Sequence, residues 1–394
     1  MKKTLCVIVF FSILFITGCY DASEVEETAY LIALGLDNKD DNSYSYTFQF
    51  AAPLAISGGG EEGGGGGGGE EPEQEEEILD SKNPTVKNIV IEAPDFYTAK
   101  NKLSNYLSKT LNMSHLKMIV CSDEFSKEAL KKHGELFLKE REIRPGTFVA
   151  VSSDKAEQFL KLVNPDLEGS TSKYYELSNS EKTLIFAPSM RLGDFLNGSE
   201  TFDKSTVLPI AIVDKEKISA ELFGMGIFKD GKLIGKVSGE EALIYNILTG
   251  NEKRFTFSVN DKKNAGETLS FDNLVLKAPN FKILEEDEKL IIITELYLNT
   301  EFIGAKLPKG YGSAEELILV GEKELEKKIS DFLIKISRDY SADILKIERY
   351  YKKQFFTIDE IKNAKFNDKY KTANFKVIIK RSNKGGSTIS GEIN

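Results

Sequence analysis

The chain has 394 residues, 41% of them hydrophobic and 29% charged, a globular balance with length enough for two or three domains. Its 62 Asp and Glu outnumber 52 Lys and Arg, for a formal charge of -10, which argues against a surface for nucleic acid. Three cysteines and two histidines supply neither a disulfide framework nor ligands at zinc spacing.

In chain order, Lys2 and Lys3 introduce a mostly apolar run from Leu5 to Ile16. It is shorter than the ~20 residues of a membrane span and stops at the small residues Thr17 and Gly18. The pattern predicts a removable secretory signal over 1–18. Ile16-Thr17-Gly18-Cys19 resembles the bacterial lipobox, which implies cleavage before Cys19, a diacylglyceryl thioether on its sulfur and often an acyl group on the new amino terminus. Each buried acyl CH₂ contributes about 0.8 kcal/mol, so two or more chains hold a protein at a bilayer without a spanning helix. Cys6 leaves with the leader. Cys121 ends an apolar stretch that starts at His115 and reads as a small buried strand residue.

Ala29 to Asp37 and the alternating Tyr44 to Phe50 predict a hairpin. The next segment, 57–77, holds ten glycines and eight glutamates. Such a run loses the most chain entropy on ordering and offers no side chain to bury, so the expectation is a disordered excursion. A calcium-binding glycine repeat would need Asp at fixed spacing, and the tract has none. Without those glutamates and the two leader lysines, the remaining body is close to neutral.

Phe96, Ala99, Leu103, Leu107 and Leu111 recur every three or four positions and predict a helix over 95–111. A strand at Leu116 to Cys121 follows, then a helix capped by Ser122 or Asp123, an extended Thr147 to Ser152, and helices at Lys155 to Val163 and Met190 to Leu196. The polar stretch Asn197 to Ser205 reads as a domain boundary. Beyond it, strands at Leu208 to Val213 and Glu221 to Phe228 lead to the tight-turn signal Asp230-Gly231 and a return strand, Leu233 to Val237. A helix at Glu240 to Leu248, strands at Phe255 to Val259, Leu269 to Leu276 and Leu290 to Leu298, and a final strand from Ala373 to Ile379 complete the pattern. The longest helix runs from Ser313 with an apolar stripe through Leu317, Leu325, Ile329, Phe332 and Ile336; Glu322, Lys323 and Glu326 fall between stripe positions and read as a solvated face.

Catalytic signatures are missing. No serine-nucleophile elbow, phosphate-cradling Gly-Lys-Ser/Thr loop or dinucleotide fingerprint is found, and Gly224-Met225-Gly226 reads as close strand packing. His115 before a strand and His133 beside Gly134, at an expected helix end, read as structural. The expectation is a non-enzyme with no catalytic residue, metal or cofactor.

Several stretches together resemble one family. Cys19-Tyr20-Asp21 with Glu24 and Glu26, Ala33-Leu34-Gly35-Leu36-Asp37, Ser114 to Val120, Glu140-Arg141-Glu142-Ile143-Arg144-Pro145, Gly226 to Gly235 and Ala373 to Val377 are similar, in this order, to the Ger(x)C family. Its members are the C subunits, lipoproteins, of nutrient germinant receptors in spore-forming Gram-positive bacteria. Tyr20 stands where the family usually has Trp, and the chain has no Trp at all. The resemblance implies an elongated α+β protein of three mixed sheet-and-helix domains, tethered through Cys19 to the outer face of the spore inner membrane. It also implies partnership with a multi-spanning B subunit and a large A subunit, in a non-enzymatic role in assembly and signalling, with direct nutrient binding left open. The expected domains are 19–200, 206–280 and 281–388, the last carrying the long amphipathic helix. The alternative is a solute-binding lipoprotein of a transporter, whose two similar lobes have no counterpart in this sequence.

Overall fold

The structure, a computed structural model, describes residues 27–40, 43–52, 86–162, 171–180, 184–200, 203–214 and 219–381. The expected leader, the lipobox and the Gly/Glu tract lie outside them. The fold is α+β, as the sequence predicts, with its strands in two sheets.

Thr28–Asp40 (β1) and Ser43–Ala51 (β2) form the predicted hairpin, with Leu34 opposite Phe48 and Leu36 opposite Tyr46. Val86–Ala93 (β3), an edge strand too exposed to carry an apolar period, pairs with β2. Phe96–Tyr106 (α1) is capped by Asp95, whose carboxylate accepts from the Thr98 N–H at 2.9 Å. The helix was expected to reach Leu111, but the chain turns extended at Leu107, and Leu111 lies in Thr110–Asn112 (β4) beside the start of β1. Both leucines still pack against the core that holds Leu103, and that apolar period cannot distinguish helix from short strand.

Met118–Ser122 (β5) and Phe148–Ser152 (β6) extend the sheet in parallel from β1. Every residue of β5 is buried, because helices cover both faces. One face packs against α1, Asp123–Glu128 (α2), Leu130–Phe137 (α3) and Leu192–Ser199 (α6). The other packs against Ala156–Leu162 (α4) and Thr171–Ser178 (α5). α3 runs straight through His133 and Gly134, correcting the expected helix end. A Cβ on Gly134 would lie 3.1 Å from a Leu196 methyl, so the glycine admits α6 rather than ending a helix.

The expected boundary at 197–205 lies inside this same sheet. α6 leads into Ser205–Asp214 (β7), which pairs in parallel with β6 at Val151–Ile210. Ser199, Asp203, Ser205 and Thr206 are buried. Their polarity serves internal hydrogen bonds rather than a solvated linker. Ser219–Lys229 (β8) and Lys232–Val237 (β9) finish the sheet through the predicted tight turn, where Asp230 and Gly231 take φ of 53° and 75°.

Arg254–Asn260 (β10), Thr268–Glu286 (β11), Lys289–Phe302 (β12) and Asn374–Arg381 (β13) form the second sheet in that order, antiparallel except for the parallel β12–β13 pair. The expected boundary at 280/281 splits β11. Ala278-Pro279-Asn280 interrupts the alternation, but the strand carries the interruption as an irregularity in its register with β12. Ala314–Lys335 (α8) crosses back over this sheet, burying Leu317, Leu325, Ile329, Phe332 and Leu333. Glu322, read on its solvated face, is instead buried against Arg381, whose guanidinium donates twice at 2.7 Å.

Gly239–Thr249 (α7) lies between the two sheets. Ser238 and Glu241 cap its start reciprocally, and Gly250 at φ 79° ends it. Its apolar residues fall on every side, and eight of its eleven residues are buried. It joins one core containing Met225 and Ile227 of the first sheet and Phe271 and Phe281 of the second. Asn246, buried on this helix, donates to the carbonyls of Leu184, Ile185 and Ala187 at 3.2, 3.1 and 2.9 Å. Replacing Asn246 with Ala strands those carbonyls, and should lower unfolding free energy by about 2–3 kcal/mol. Urea titration of the purified variant measures it; a loss below about 0.5 kcal/mol would remove Asn246 from the list of anchoring residues.

Candidate functional site at the sheet junction

Where the first sheet meets the crossover of the second, buried charges converge. Asp203 lies just before β7, and Lys229 ends β8. From the other side comes the loop that leaves α8 through a wide helical turn, Ile336–Tyr340. Ser341 and Lys346 take φ of 51° and 56° there, a left-handed backbone held by its partners. The Asp203 carboxylate accepts from the Asp343 N–H at 2.8 Å and from Lys229 Nζ at 3.3 Å. Lys229 also donates to the Ser341 carbonyl, and Lys346 to that of Ser205. The Asp343 carboxylate accepts from the N–H groups of Ile347 and Glu348, both at 2.8 Å, at the start of Glu348–Lys352 (α9).

These groups sit in poor solvent. Burial pushes Asp343 up to about 7, with the nearby Asp203 charge adding to the rise, while the two backbone donors pull the other way. Burial also lowers the Lys346 ammonium from its ordinary value. Tyr340 packs on Gly235 of β9, where any Cβ would overlap the ring. The stretch Gly226 to Gly235, one of those carrying the family resemblance, therefore supplies both a cation and a bare backbone to the junction.

Beside the charges opens a cleft of about 500 Å³. Asp194 and Asn197 of α6, Tyr245 of α7, Pro279 of β11, and Lys346 and Arg349 line it. The size suits a small molecule, and the lining offers charge of both signs. It presents no Ser, Cys or His poised as nucleophile and base.

Ile16, Thr17, Gly18 and Cys19 fall outside the described residues. Cys121 is fully buried in β5, and burial raises its thiol well above the usual range. His115 stacks edge-on to Tyr30 with ring centres 5.1 Å apart. His133 is buried, and its Nδ1–H donates to the Ala129 carbonyl at 3.0 Å, so Nε2 accepts from the Tyr46 hydroxyl at 2.9 Å. Burial depresses its pKa, which keeps it neutral. Among the described residues no group of His, Cys, Asp and Glu is placed to hold a metal. Gly224 takes φ 104°, and a Cβ there would meet the Val237 carbonyl at 2.9 Å, the close strand packing expected.

Other stretches of the resemblance also have structural work. In Ala33-Leu34-Gly35-Leu36-Asp37, a Cβ on Gly35 would lie 3.0 Å from Leu160, so the glycine lets α4 approach. The Asp37 carboxylate accepts from the Ala156 and Glu157 N–H groups at 2.8 and 3.1 Å, capping that helix. Glu142 accepts from the Met113 N–H at 2.7 Å. The junction itself was missed in the sequence: Asp203 and Asp343 stand 140 positions apart, and Asp203 adjoins a stretch read as a linker.

Two family models match the chain in succession: the spore germination protein N-terminal domain over 21–213, and the spore germination B3/GerAC-like C-terminal region over 223–382. Their meeting point falls between β7 and β8, inside the first sheet. The putative spore germination protein YfkR of Bacillus subtilis is 23% identical over 308 residues, 75% of this chain and 74% of that protein. Spore germination protein B3 of the same organism is 22% identical over 354 residues, 85% of each. The crystal structure of the GerBC protein superposes with a TM-score of 0.54 at 17% identity, covering 88% of this chain and 96% of that one, which relates the folds.

The raised Asp343 pKa has a stability signature. The folded state holds its proton more tightly than the open chain, so the stability it contributes is complete below 3.8 and is lost as pH rises through about 7. Unfolding free energies at about pH 5 and 8 should therefore differ more for the parent than for Asp343→Asn, by about 2 kcal/mol or more. Identical pH profiles for the two proteins would mean that Asp343 is ionised throughout.

Proposed function

Since the chain belongs to the GerAC-like family of spore germination proteins, we propose that it is the lipoprotein C subunit of a nutrient germinant receptor. The observation that carries this reading is the succession of both family models over nearly the whole chain, 21–213 then 223–382. Its role is non-enzymatic: with a multi-spanning B subunit and a large A subunit it supports receptor assembly or signalling in germination. Cys19 bears the lipid, following Ile16-Thr17-Gly18, and holds the body at the outer face of the spore inner membrane. No helix among the described residues is long and apolar enough to cross a bilayer.

The body proposed for this role is joined by a buried charged junction, where a shift of one sheet against the other would break the bonds from the Asp343 N–H to Asp203, from Lys229 to the Ser341 carbonyl and from Lys346 to the Ser205 carbonyl. A solute-binding lipoprotein is the second reading, favoured by the junction cleft. Heat released on titrating small nutrients into the protein would favour it.

Removing the gene from a strain without a paralogue should abolish or slow nutrient-triggered germination while spores still form. A normal nutrient response would refute the receptor role. For the anchor, mass spectrometry of the mature protein should find a diacylglyceryl group on Cys19 as the first residue; an unmodified Cys19 or cleavage elsewhere refutes it.

A further inference from the structure

The most exposed aromatic among the described residues stands in a loop built to display it. Phe356 is 99% exposed and Ile358 68%. The loop is not frayed. On one side the Tyr351 hydroxyl donates to Glu285 at 2.6 Å, and Gln354 Nε2 to the Ile283 carbonyl at 2.8 Å. On the other, Thr357 and Glu360 cap Ile358–Asn363 (α10) reciprocally, and Glu360 also accepts from the Phe356 N–H at 2.9 Å. The neighbouring strand adds Leu284, 49% exposed. A ring held out in water by satisfied backbone on both flanks has no folded-state gain of its own.

The surrounding charge is opposite to that of the whole. From Lys346 to Arg381 inclusive there are eleven Lys and Arg and four Asp and Glu, in a chain of net charge -10; the adjoining turn after Leu284 adds the exposed Glu285, Glu286, Asp287 and Glu288, one of them paired with Lys369, and leaves the balance positive. Lys369, Lys380 and Arg381 are engaged by Glu285, Glu295 and Glu322. Lys353, Lys362, Lys365 and Lys371 are exposed and make no salt bridge among the described residues. Lys353 adjoins the tip, over the Tyr350 ring at 5.1 Å, and Lys362 follows Ile358 by four positions on α10, on the same face.

We propose that this loop docks on an anionic bilayer, with Phe356 and Ile358 inserted among the headgroups and Lys353 and Lys362 facing lipid phosphates. Phe356, Ile358 and the half-exposed Leu284 are too few to make an apolar patch of the size a protein interface needs. A fluid bilayer accepts an isolated ring without shape complementarity, and surface lysines add attraction that salt screens. The docking stands on the loop alone and does not require the lipid on Cys19.

The test uses the chain from position 19 onward, which carries both sheets, with Cys19→Ser so that no acyl chain contributes. It should sediment with phosphatidylglycerol/phosphatidylcholine vesicles, not with pure phosphatidylcholine, and release at about 1 M salt. Phe356→Ser should weaken binding about tenfold while leaving the unfolding midpoint unchanged, since the side chain touches almost nothing. Lys353→Glu with Lys362→Glu should weaken it at least as much. Because the chain contains no Trp, Phe356→Trp places a single tryptophan at the tip, whose emission, excited at about 295 nm to spare the tyrosines, should shift to the blue on anionic vesicles. Lack of vesicle binding, binding that Phe356→Ser leaves intact, or bound protein with unshifted emission would each overturn the proposal; capture of the loop by an acidic protein without vesicle binding would do so as well.

Discussion

The architecture depends on one helix that has no solvent side. α7 is apolar around its circumference and sits between the sheets, so the two cores are continuous through Ala242, Tyr245 and Ile247. Drawing the sheets apart would expose both faces of that helix at once, at about 25 cal/mol for each Å² of apolar surface. Its single strongly polar buried residue, Asn246, is spent on three carbonyls of the segment 184–187, so even its polarity binds the helix to the first sheet. Reciprocal capping at Ser238 and a left-handed Gly250 set its length to the gap it fills.

Next to this apolar joint lies a polar one of different character. Ion pairs removed from water recover their desolvation cost only when every remaining donor and acceptor is matched. Asp203 and Asp343 meet that condition largely through backbone N–H groups, and Lys229 and Lys346 meet it through carbonyls. The charges therefore specify the path of the loop 341–348 against β7 and β8 more than they add cohesion. An apolar joint resists separation; a hydrogen-bonded one fixes register. Together they make the junction sensitive to anything that alters the protonation of Asp343 or occupies the adjoining cleft.

The two attachments proposed for a bilayer, the lipid on Cys19 and the loop around Phe356, differ in the same way. An acyl anchor restrains one point and leaves the body free to rotate about it. A basic loop with an inserted ring acts only within a Debye length of the surface, so it would orient a body that is already close. Neither asks for a catalytic group, in keeping with a chain whose histidines and sole described cysteine are committed to packing.

By itself, the sequence determined what depends on neighbouring residues. Alternation at Tyr44 to Phe50, the stripe of α8, Asp230-Gly231, and the succession of family stretches were all legible, because strand period, helix period and turn strain are local properties. The family was legible in those same stretches. Where the polar residues go was settled by the fold. Asn197 to Ser205 looks like a linker yet lies against the buried junction, because a hydrogen-bonding side chain reads the same whether its partner is water or protein. The same ambiguity hid Glu322, and it hid the Asp203–Asp343 pair, which exists only because folding brings together residues 140 positions apart. For Phe356 the ambiguity runs in reverse: an aromatic in sequence predicts burial, and only the fold shows it held out in solvent.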